Sequence, residues 1–409
     1  MIIRRIRTAI VSRIRALPLA QRAQARLGRL THERRVRGFI AAGDGRANRL
    51  PLGVVYETTM RCNLKCEFCY VGDLLNLEGE WREELTLDAL RKAFPDRKGL
   101  QVSLTGGEVF VRKDVEQVLD LFRQKGYACG YLTTNGTAIT ESRAAALADL
   151  ALAGFVKHIS VSIDGPSDLH DAARGVKGTF ERTAIGLRRL QAAARARRAP
   201  LKVSINTTVT RESLDALDRM AEVAEELGVD ALGVNHLMYA TPDEVDQTLK
   251  ILGETDRRLI ATFVTADPGV SPAAVAAKMS ALEAACRGRR IRFDYRPKVH
   301  EPLIEGYYTP GTPLHGRCLY PFLNARVGYS GKVYFCPFIR IEVGDLAVST
   351  LEEAWNSPRY VDLRRRLLER ELFPVCRRCC KVELSPEPVP VAAAALKGRR
   401  TLTLTPIGS

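Results

Sequence analysis

Three thiols share one short stretch, Cys62-Asn-Leu-Lys-Cys66-Glu-Phe-Cys69. The spacing C-x3-C-x2-C puts them on a single turn, and thiolates in this number select soft metals, zinc or an iron–sulfur cluster. Closed structural zinc takes four tetrahedral ligands, one more than the loop supplies. A cubane held by three cysteines keeps one iron open to a non-protein ligand. A second group lies toward the C-terminus: Cys318, Cys336, Cys376 and Cys379, with Cys380 adjacent. Between its first two members, residues 327–335 read as two strand-like pieces around a Ser-Gly turn, a hairpin that returns Cys318 and Cys336 to one place. On spacing alone these four thiols suit zinc as well as iron–sulfur. Cys129 and Cys286 stand alone and read as small buried residues.

Three further motifs carry polar chemistry. Thr105-Gly106-Gly107-Glu108 combines glycines that let backbone carbonyls approach a ligand with a carboxylate able to accept from an ammonium group. Thr133-Thr134-Asn135-Gly136 and Ser160-Val-Ser162-Ile-Asp164-Gly165 follow, the latter leading to His170, Asp171 and Arg174. An arginine fork suits a carboxylate, which makes Arg174 a candidate. The plain readings are turns for the first two motifs and a surface arginine for the third. Asn206, Asn235 and His236 are candidates to point inward, although a buried asparagine is more often a satisfied core group.

These residues need elements to hold them. From 53 to about 238 strand and helix patterns alternate: strands over 53–58, 100–104, 128–133, 158–163, 201–208 and 230–238, with helices over about 86–94, 113–125, 141–153, 178–198 and 213–227. Six such units with short loops predict an α/β fold, a partial (β/α)6 TIM-like barrel with a parallel sheet. The cysteine loop and the three motifs then fall at strand C-terminal ends, where α/β sheets place their chemistry. Thr241-Pro242-Asp243-Glu244 starts a helix in a mostly helical connection over 242–290. A helix over about 350–370 leads back to Cys376.

The thiol loop, with Phe68 before its last cysteine, resembles the signature of the radical S-adenosylmethionine (SAM) superfamily. That resemblance implies a [4Fe–4S] cluster on Cys62, Cys66 and Cys69, with SAM chelating the open iron. One electron would cleave SAM to methionine and a 5′-deoxyadenosyl radical, which abstracts hydrogen from substrate. It further implies that the backbone near Phe68 and Tyr70 passes the adenine and that the Gly106-Gly107-Glu108 motif binds the SAM amino group. Asn135 matches a Thr-Asn-Gly found in many members. By likeness to peptide-modifying relatives, Ser162 and Arg174 contact SAM. An external electron donor of flavodoxin or ferredoxin type is implied as a partner. The C-terminal stretch, with Gly331-Lys-Val-Tyr-Phe-Cys336, Gly344-Asp-Leu346 and residues 351–357, resembles the SPASM/Twitch extension. No cysteine follows Cys380, which favours the shorter, Twitch-like form. One auxiliary [4Fe–4S] cluster would be held by Cys318, Cys336, Cys376 and either Cys379 or Cys380, and would take the electron left on the substrate radical.

With 409 residues, 46% of them hydrophobic and 27% charged, the chain suits a large α/β domain and a smaller one. The division expected is 1–50, a basic amphipathic extension; 51–240, the barrel; 241–315, the helical connection; 316–384, a small hairpin/helix iron–sulfur domain; and 385–409, a tail. No apolar run is long enough to span a membrane, and arginines interrupt any secretory h-region. A cytoplasmic protein is expected, with ten cysteines serving metal rather than disulfides. Most of the net charge of +15 falls in residues 1–50, where thirteen arginines face two acids. Residues 2–17 read as a helix with Ile3, Ile6, Ile10, Ile14 and Leu17 on one side and arginines between. It could lie on an anionic membrane face, grip nucleic-acid phosphates, or pack on the barrel.

The expected function is radical SAM oxidation of a peptide or small natural product. A lipid or lipid-linked substrate at a membrane surface comes second, and nucleic acid ranks last. Fifty arginine-rich residues are few for the leader-binding domain of many peptide maturases. The other class, a non-catalytic zinc or iron–sulfur protein, leaves the Gly-Gly-Glu motif and the Ser162/Arg174 pair without a purpose.

Overall fold

The computed structural model describes residues 44–79, 83–299 and 302–388. The basic segment 2–17 and the tail beyond 388 lie outside the described residues. Six strands, β1 (Gly53–Thr59), β2 (Gln101–Gly106), β3 (Ala128–Thr134), β4 (His158–Ser162), β5 (Lys202–Thr208) and β6 (Ala231–Asn235), pair in chain order and all in parallel. Each begins within a residue of its expected position, and the fold is the α/β partial barrel that the alternation predicts.

Strand parity decides what each side chain meets. Val54, Val102, Leu132, Ile159, Val161, Ile205 and Leu232 are all buried on the outer face of the arc. The helices Val115–Gln124, Glu141–Leu152 and Thr179–Arg197 bring Leu119, Leu147 and Leu187 to the same core, none of them exposed. The alternate positions face the lumen and are mostly polar: Tyr131, Thr133, Ser160, Ser162, Asn206 and Asn235. Tyr131 is 36% exposed although it sits on an interior strand, so the lumen is open beside it.

A short parallel pair, β7 (Tyr239–Ala240) and β8 (Phe263–Val264), follows. The expected helix at Thr241 is the helix Pro242–Leu252, with a capping box between Thr241 and Glu244. Strand β9 (Arg292–Arg296) extends the sheet beyond β6, again in parallel. In the C-terminal segment β10 (His315–Cys318) pairs antiparallel with β14 (Val382–Ser385), and β11 (Asn324–Val327), β12 (Lys332–Tyr334) and β13 (Glu342–Asp345) form a meander. The expected hairpin is β11–β12. Its first strand also pairs in parallel with β1, Val54 against Ala325, so one ten-stranded sheet runs from β13 through the barrel to β9. Three helical expectations are refined. The pattern over 213–227 divides into Arg211–Leu214 and Met220–Glu226 with a short 3-10 turn between. The pattern over 350–370 divides into Leu351–Trp355 and Pro358–Arg370, because Pro358 starts the second helix behind the Ser357 cap. The run before 178 holds a further helix, Ser167–Arg174.

Candidate active site

The loop of Cys62, Cys66 and Cys69 leaves the C-terminal end of β1 and is clamped from several sides. Asn76 closes on Cys62 in both directions, accepting from its N–H at 2.9 Å and donating to its carbonyl at 3.0 Å, with φ of 59° at Asn76 itself. The Lys65 N–H donates to the Arg174 carbonyl at 3.1 Å. Asn63 accepts from Asn135 Nδ2 at 2.9 Å and donates to Thr137 Oγ1 at 2.8 Å, which ties the loop to the end of β3. The three thiols are close enough for each to feel its neighbours, and burial pushes Cys62 up to about 12 and Cys69 up to about 11. Binding a soft metal here therefore releases protons.

The Gly106-Gly107-Glu108 segment packs directly on this loop. The Gly107 N–H donates to the Thr59 carbonyl and the Glu108 N–H to the Arg61 carbonyl, each at 2.8 Å. A Cβ on Gly106 would run into the Thr59 carbonyl oxygen, and one on Gly107 into that of Arg61. The glycines are thus needed for backbone-on-backbone approach within the protein. The Glu108 side chain is held by donors of the protein itself. It is 2% exposed and accepts from Thr134 Oγ1 at 2.6 Å, the Asn135 N–H at 2.7 Å and the Phe110 N–H at 3.1 Å. Burial raises its pKa, and those donors oppose the rise. Glu108 and Asn135 therefore brace the ends of β2 and β3 against each other.

Arg174 reaches the loop. Its Nη1 lies 3.7 Å from Cys66 Sγ and its guanidinium 5.5 Å from the centre of the Phe68 ring. Nη2 stands 2.6 Å from Asp164 Oδ2 in an ion pair, and the buried Nε has no partner among the described residues. Ser162 ends β4 opposite Asn206 of β5. Asn206 Oδ1 occupies the space a Cβ on Gly233 would fill, which sets it toward the lumen. Asn235 faces the lumen as well, but its neighbour His236 takes the opposite side of the sheet. There it meets Tyr295, Tyr307 and Tyr308, with Nδ1 2.7 Å from the Tyr308 hydroxyl. His236 lies just past the end of β6, and its ring is held among these tyrosines, so the inward placement considered for it is corrected.

Tyr70 turns its side chain toward the C-terminal segment. Its ring lies 5.1 Å from that of Phe338, and its hydroxyl accepts from Arg326 Nη2 at 3.2 Å. There the β10–β14 pairing sets Cys318 opposite Val382, next to the turn that carries Cys376, Cys379 and Cys380. Cys336 is drawn in by a turn in which the Ile339 N–H donates to its Sγ at 3.2 Å. Burial pushes Cys318 up to about 12, Cys336 up to about 11, and Cys376 well up. Of the adjacent pair, burial raises Cys379, while the hydrogen bond from the Cys379 thiol lowers Cys380, with Lys381 and Arg296 adding positive charge. Among the described residues, no three His, Cys, Asp or Glu side chains converge closely enough for a single metal ion to hold them. A cubane is larger than an ion and does not require that convergence.

Sequence reasoning passed over Glu57, Arg326 and Arg340, three buried charges described below, and Asn63 and Asn76. An acid in the middle of an otherwise apolar parallel strand was the available signal, because such a charge needs a partner.

Comparisons with known proteins identify the family. The family model of the radical SAM superfamily matches residues 56–224, and that of an iron–sulfur cluster-binding domain, SPASM, matches residues 318–380. The chain is similar to an AdoMet-dependent heme synthase of Oleidesulfovibrio alaskensis, 34% identical over 321 residues and 75% of each chain. It is 31% identical to a pre-heme d1 synthase of Dinoroseobacter shibae over 46% of this chain and 44% of the relative. It is 32% identical to a PqqA peptide cyclase of Ruegeria pomeroyi over 45% and 46%. The last two alignments therefore span under half of those relatives. Among solved structures, Streptococcus suis SuiB bound to S-adenosylmethionine superposes with a TM-score of 0.53 at 18% identity, covering 77% of this chain and 68% of that one, which is a likeness of fold.

Proposed function

The chain belongs to the radical SAM superfamily and carries a SPASM domain, and from that premise we propose that Cys62, Cys66 and Cys69 hold the SAM-binding cluster while Cys318, Cys336, Cys376 and Cys379 hold an auxiliary one. The protein is an enzyme whose cofactors are a [4Fe–4S] cluster, SAM and auxiliary iron–sulfur. The donor sets fit these groups: three soft ligands on one loop leave a coordination position open, and a second set supplies four. A donor also waits for SAM, since Arg174, whose Nη1 meets Cys66, keeps a buried Nε without a partner among the described residues. When bound, these groups supply one-electron cleavage of SAM to a 5′-deoxyadenosyl radical and a seat for the electron the substrate gives up.

The chain's own residues bind and orient. Arg174 offers Nε to the SAM carboxylate while Asp164 holds its Nη2 and Cys66 lies against its Nη1. Glu108 keeps its carboxylate on Thr134, Asn135 and Phe110, so the amino group is met by the backbone of Gly106 and Gly107. Ser162 and Asn206 line the lumen where the adenosyl moiety would lie, with Tyr131 on the open side. The observation that carries the reading is the 3.2 Å hydrogen bond from Arg326 to Tyr70. It joins the residue after the last loop cysteine to the strand that leads to Cys336.

The reaction we propose is hydrogen abstraction with net oxidation of a peptide or small natural product, driven by an external donor of flavodoxin or ferredoxin type. The relatives are named for heme synthesis and for cyclising a peptide. The alignment covering 75% of both chains is to a heme synthase, which favours the small-molecule side and makes a tetrapyrrole the first compound to try. We place the units at about 51–240, 241–315 and 316–384.

The test is iron per chain after anaerobic reconstitution, beside the Cys62/Cys66/Cys69→Ala variant, each then given SAM and reductant. About eight irons falling to about four are expected for two cubanes, with 5′-deoxyadenosine formed by the intact protein alone. About four in the parent and none in the variant would remove the auxiliary cluster from the reading.

A further inference from the structure

A buried group of charges stands between the two sets of cysteines. Glu57 of β1 is wholly buried and accepts from two arginines. Arg326 of β11 donates through Nε at 3.0 Å and Nη2 at 2.6 Å, and Arg340 through Nη1 at 2.6 Å and Nη2 at 2.9 Å. The arginine side chains are 3% and 8% exposed. One carboxylate against two guanidiniums leaves one positive charge in excess, because arginine does not deprotonate in a protein. The arginines' other contacts, the Tyr70 hydroxyl and the Tyr334 ring at 4.2 Å, are uncharged.

The excess charge lies against the auxiliary site. Arg340 follows Cys336 by four residues, just past the turn in which the Cys336 N–H donates to the Ile339 carbonyl at 3.2 Å. Arg326 is opposite Tyr334 in the β11–β12 register, and Cys336 lies two residues past Tyr334. The Cys336 thiol feels both cations. Elsewhere around the cysteines, Lys381 and Arg296 face Cys380, Arg377 faces Cys376, and Glu383 faces Cys318. Arg377 pairs with Glu244, and Glu383 with Arg317.

We propose that Glu57, Arg326 and Arg340 are positioning residues that set the reduction potential of the group held by the C-terminal cysteines, keeping it ready to accept the substrate's electron. This rests on the reading that those cysteines hold a one-electron iron–sulfur group. One electron leaves the substrate radical, which sheds a proton, and the same electron enters that group. The incoming negative charge is stabilised by the buried excess of one positive charge, more strongly in a low-dielectric interior than in water. None of the three side chains is exposed enough to touch substrate, so their influence passes through the field.

Redox titration of the reconstituted full chain, following the auxiliary signal by electron paramagnetic resonance, tests this. Arg340→Gln takes the buried sum from +1 to zero and is expected to lower the auxiliary potential by about 59 mV or more, tenfold in the electron-transfer equilibrium. Glu57→Gln takes it to +2 and is expected to raise the potential. The double variant returns the sum to +1 and is expected to bring the potential back toward the parent value, which a merely structural role would not do. If Glu57→Gln fails to fold, Arg340→Gln and the double variant carry the test. An unmoved potential in Arg340→Gln, or a double variant displaced as far as Arg340→Gln, overturns the inference and leaves the proposed function standing. Absence of any second iron–sulfur signal in the parent overturns both.

Discussion

Arg326 and Glu57 lie 269 positions apart in the chain and meet in an ion pair at 2.6 Å, with neither side chain more than 3% exposed. The pair fastens β11 to β1 by side chain where the sheet already fastens them by backbone. Removing the acid would leave two buried guanidiniums without their counter-charge. Glu57→Gln is expected to lose about 3–5 kcal/mol of stability, read as a fall in denaturation midpoint of the apo protein. A midpoint within error of the parent would mean that water reaches the pair.

Acid should weaken the fold in two steps. Burial lowers His170 and His236 to about 4 from an ordinary 6.5. Both stay neutral when folded, and their contribution, full above 6.5, is lost as pH falls toward 4. Burial alone would raise Glu57, but Arg326 and Arg340 outweigh it and hold the carboxyl at about 2. Its contribution is full above 4.5 and disappears as pH falls from there toward 2. Unfolding free energy measured against pH should decline through the first window and again through the second. In Glu57→Gln the second decline should be smaller, and an unchanged slope would detach it from Glu57.

Asn76 holds Cys62 at both its N–H and its carbonyl from a left-handed backbone conformation. Asn76→Ala loses both bonds and adds backbone strain, together on the order of 2 kcal/mol. Asn76→Gly keeps the conformation and loses only the bonds. Iron at the loop should be retained in the order parent, Asn76→Gly, Asn76→Ala, while auxiliary iron stays constant. Equal loss from both sites would show a general rather than a local effect.

Arg174 Nε is the donor assigned to SAM. Arg174→Gln is expected to weaken SAM binding to the reconstituted enzyme by roughly tenfold to a hundredfold, as losing a charge-assisted hydrogen bond of about 1.5–3 kcal/mol implies. Equilibrium binding of SAM measures it directly. Unchanged affinity would mean that Asp164 engages the whole guanidinium.

Much of this was legible in advance, for identifiable reasons. The six strands could be read because Val102, Ile159 and Ile205 lie in short stretches that alternate apolar and polar residues, and Val54 in a short apolar run, each a local signal. The thiol loop could be read because its three ligands are contiguous. What the sequence concealed depends on residues far apart. Nothing near Arg326 says that it will pair with Glu57, and nothing near Gly107 says that its neighbour in space is the Arg61 carbonyl. Glu108 has the residue type a ligand would want, yet the close approach of β3 supplies it with protein donors first. His236 is kept from the lumen by Tyr295, Tyr307 and Tyr308, which no residue near it in the chain announces.

The parallel pairing of β1 with β11 bears on how the protein is made. β1 leaves the ribosome long before its second neighbour, β11. At about 5–20 residues per second, one side of Gly53–Tyr56 stays unsatisfied for on the order of tens of seconds. An apolar strand edge left open that long invites pairing with another chain. A cell making this protein therefore has to shield its first barrel strand until β11 emerges, and crowding of nascent chains should lower yield more than any property of the finished fold would suggest.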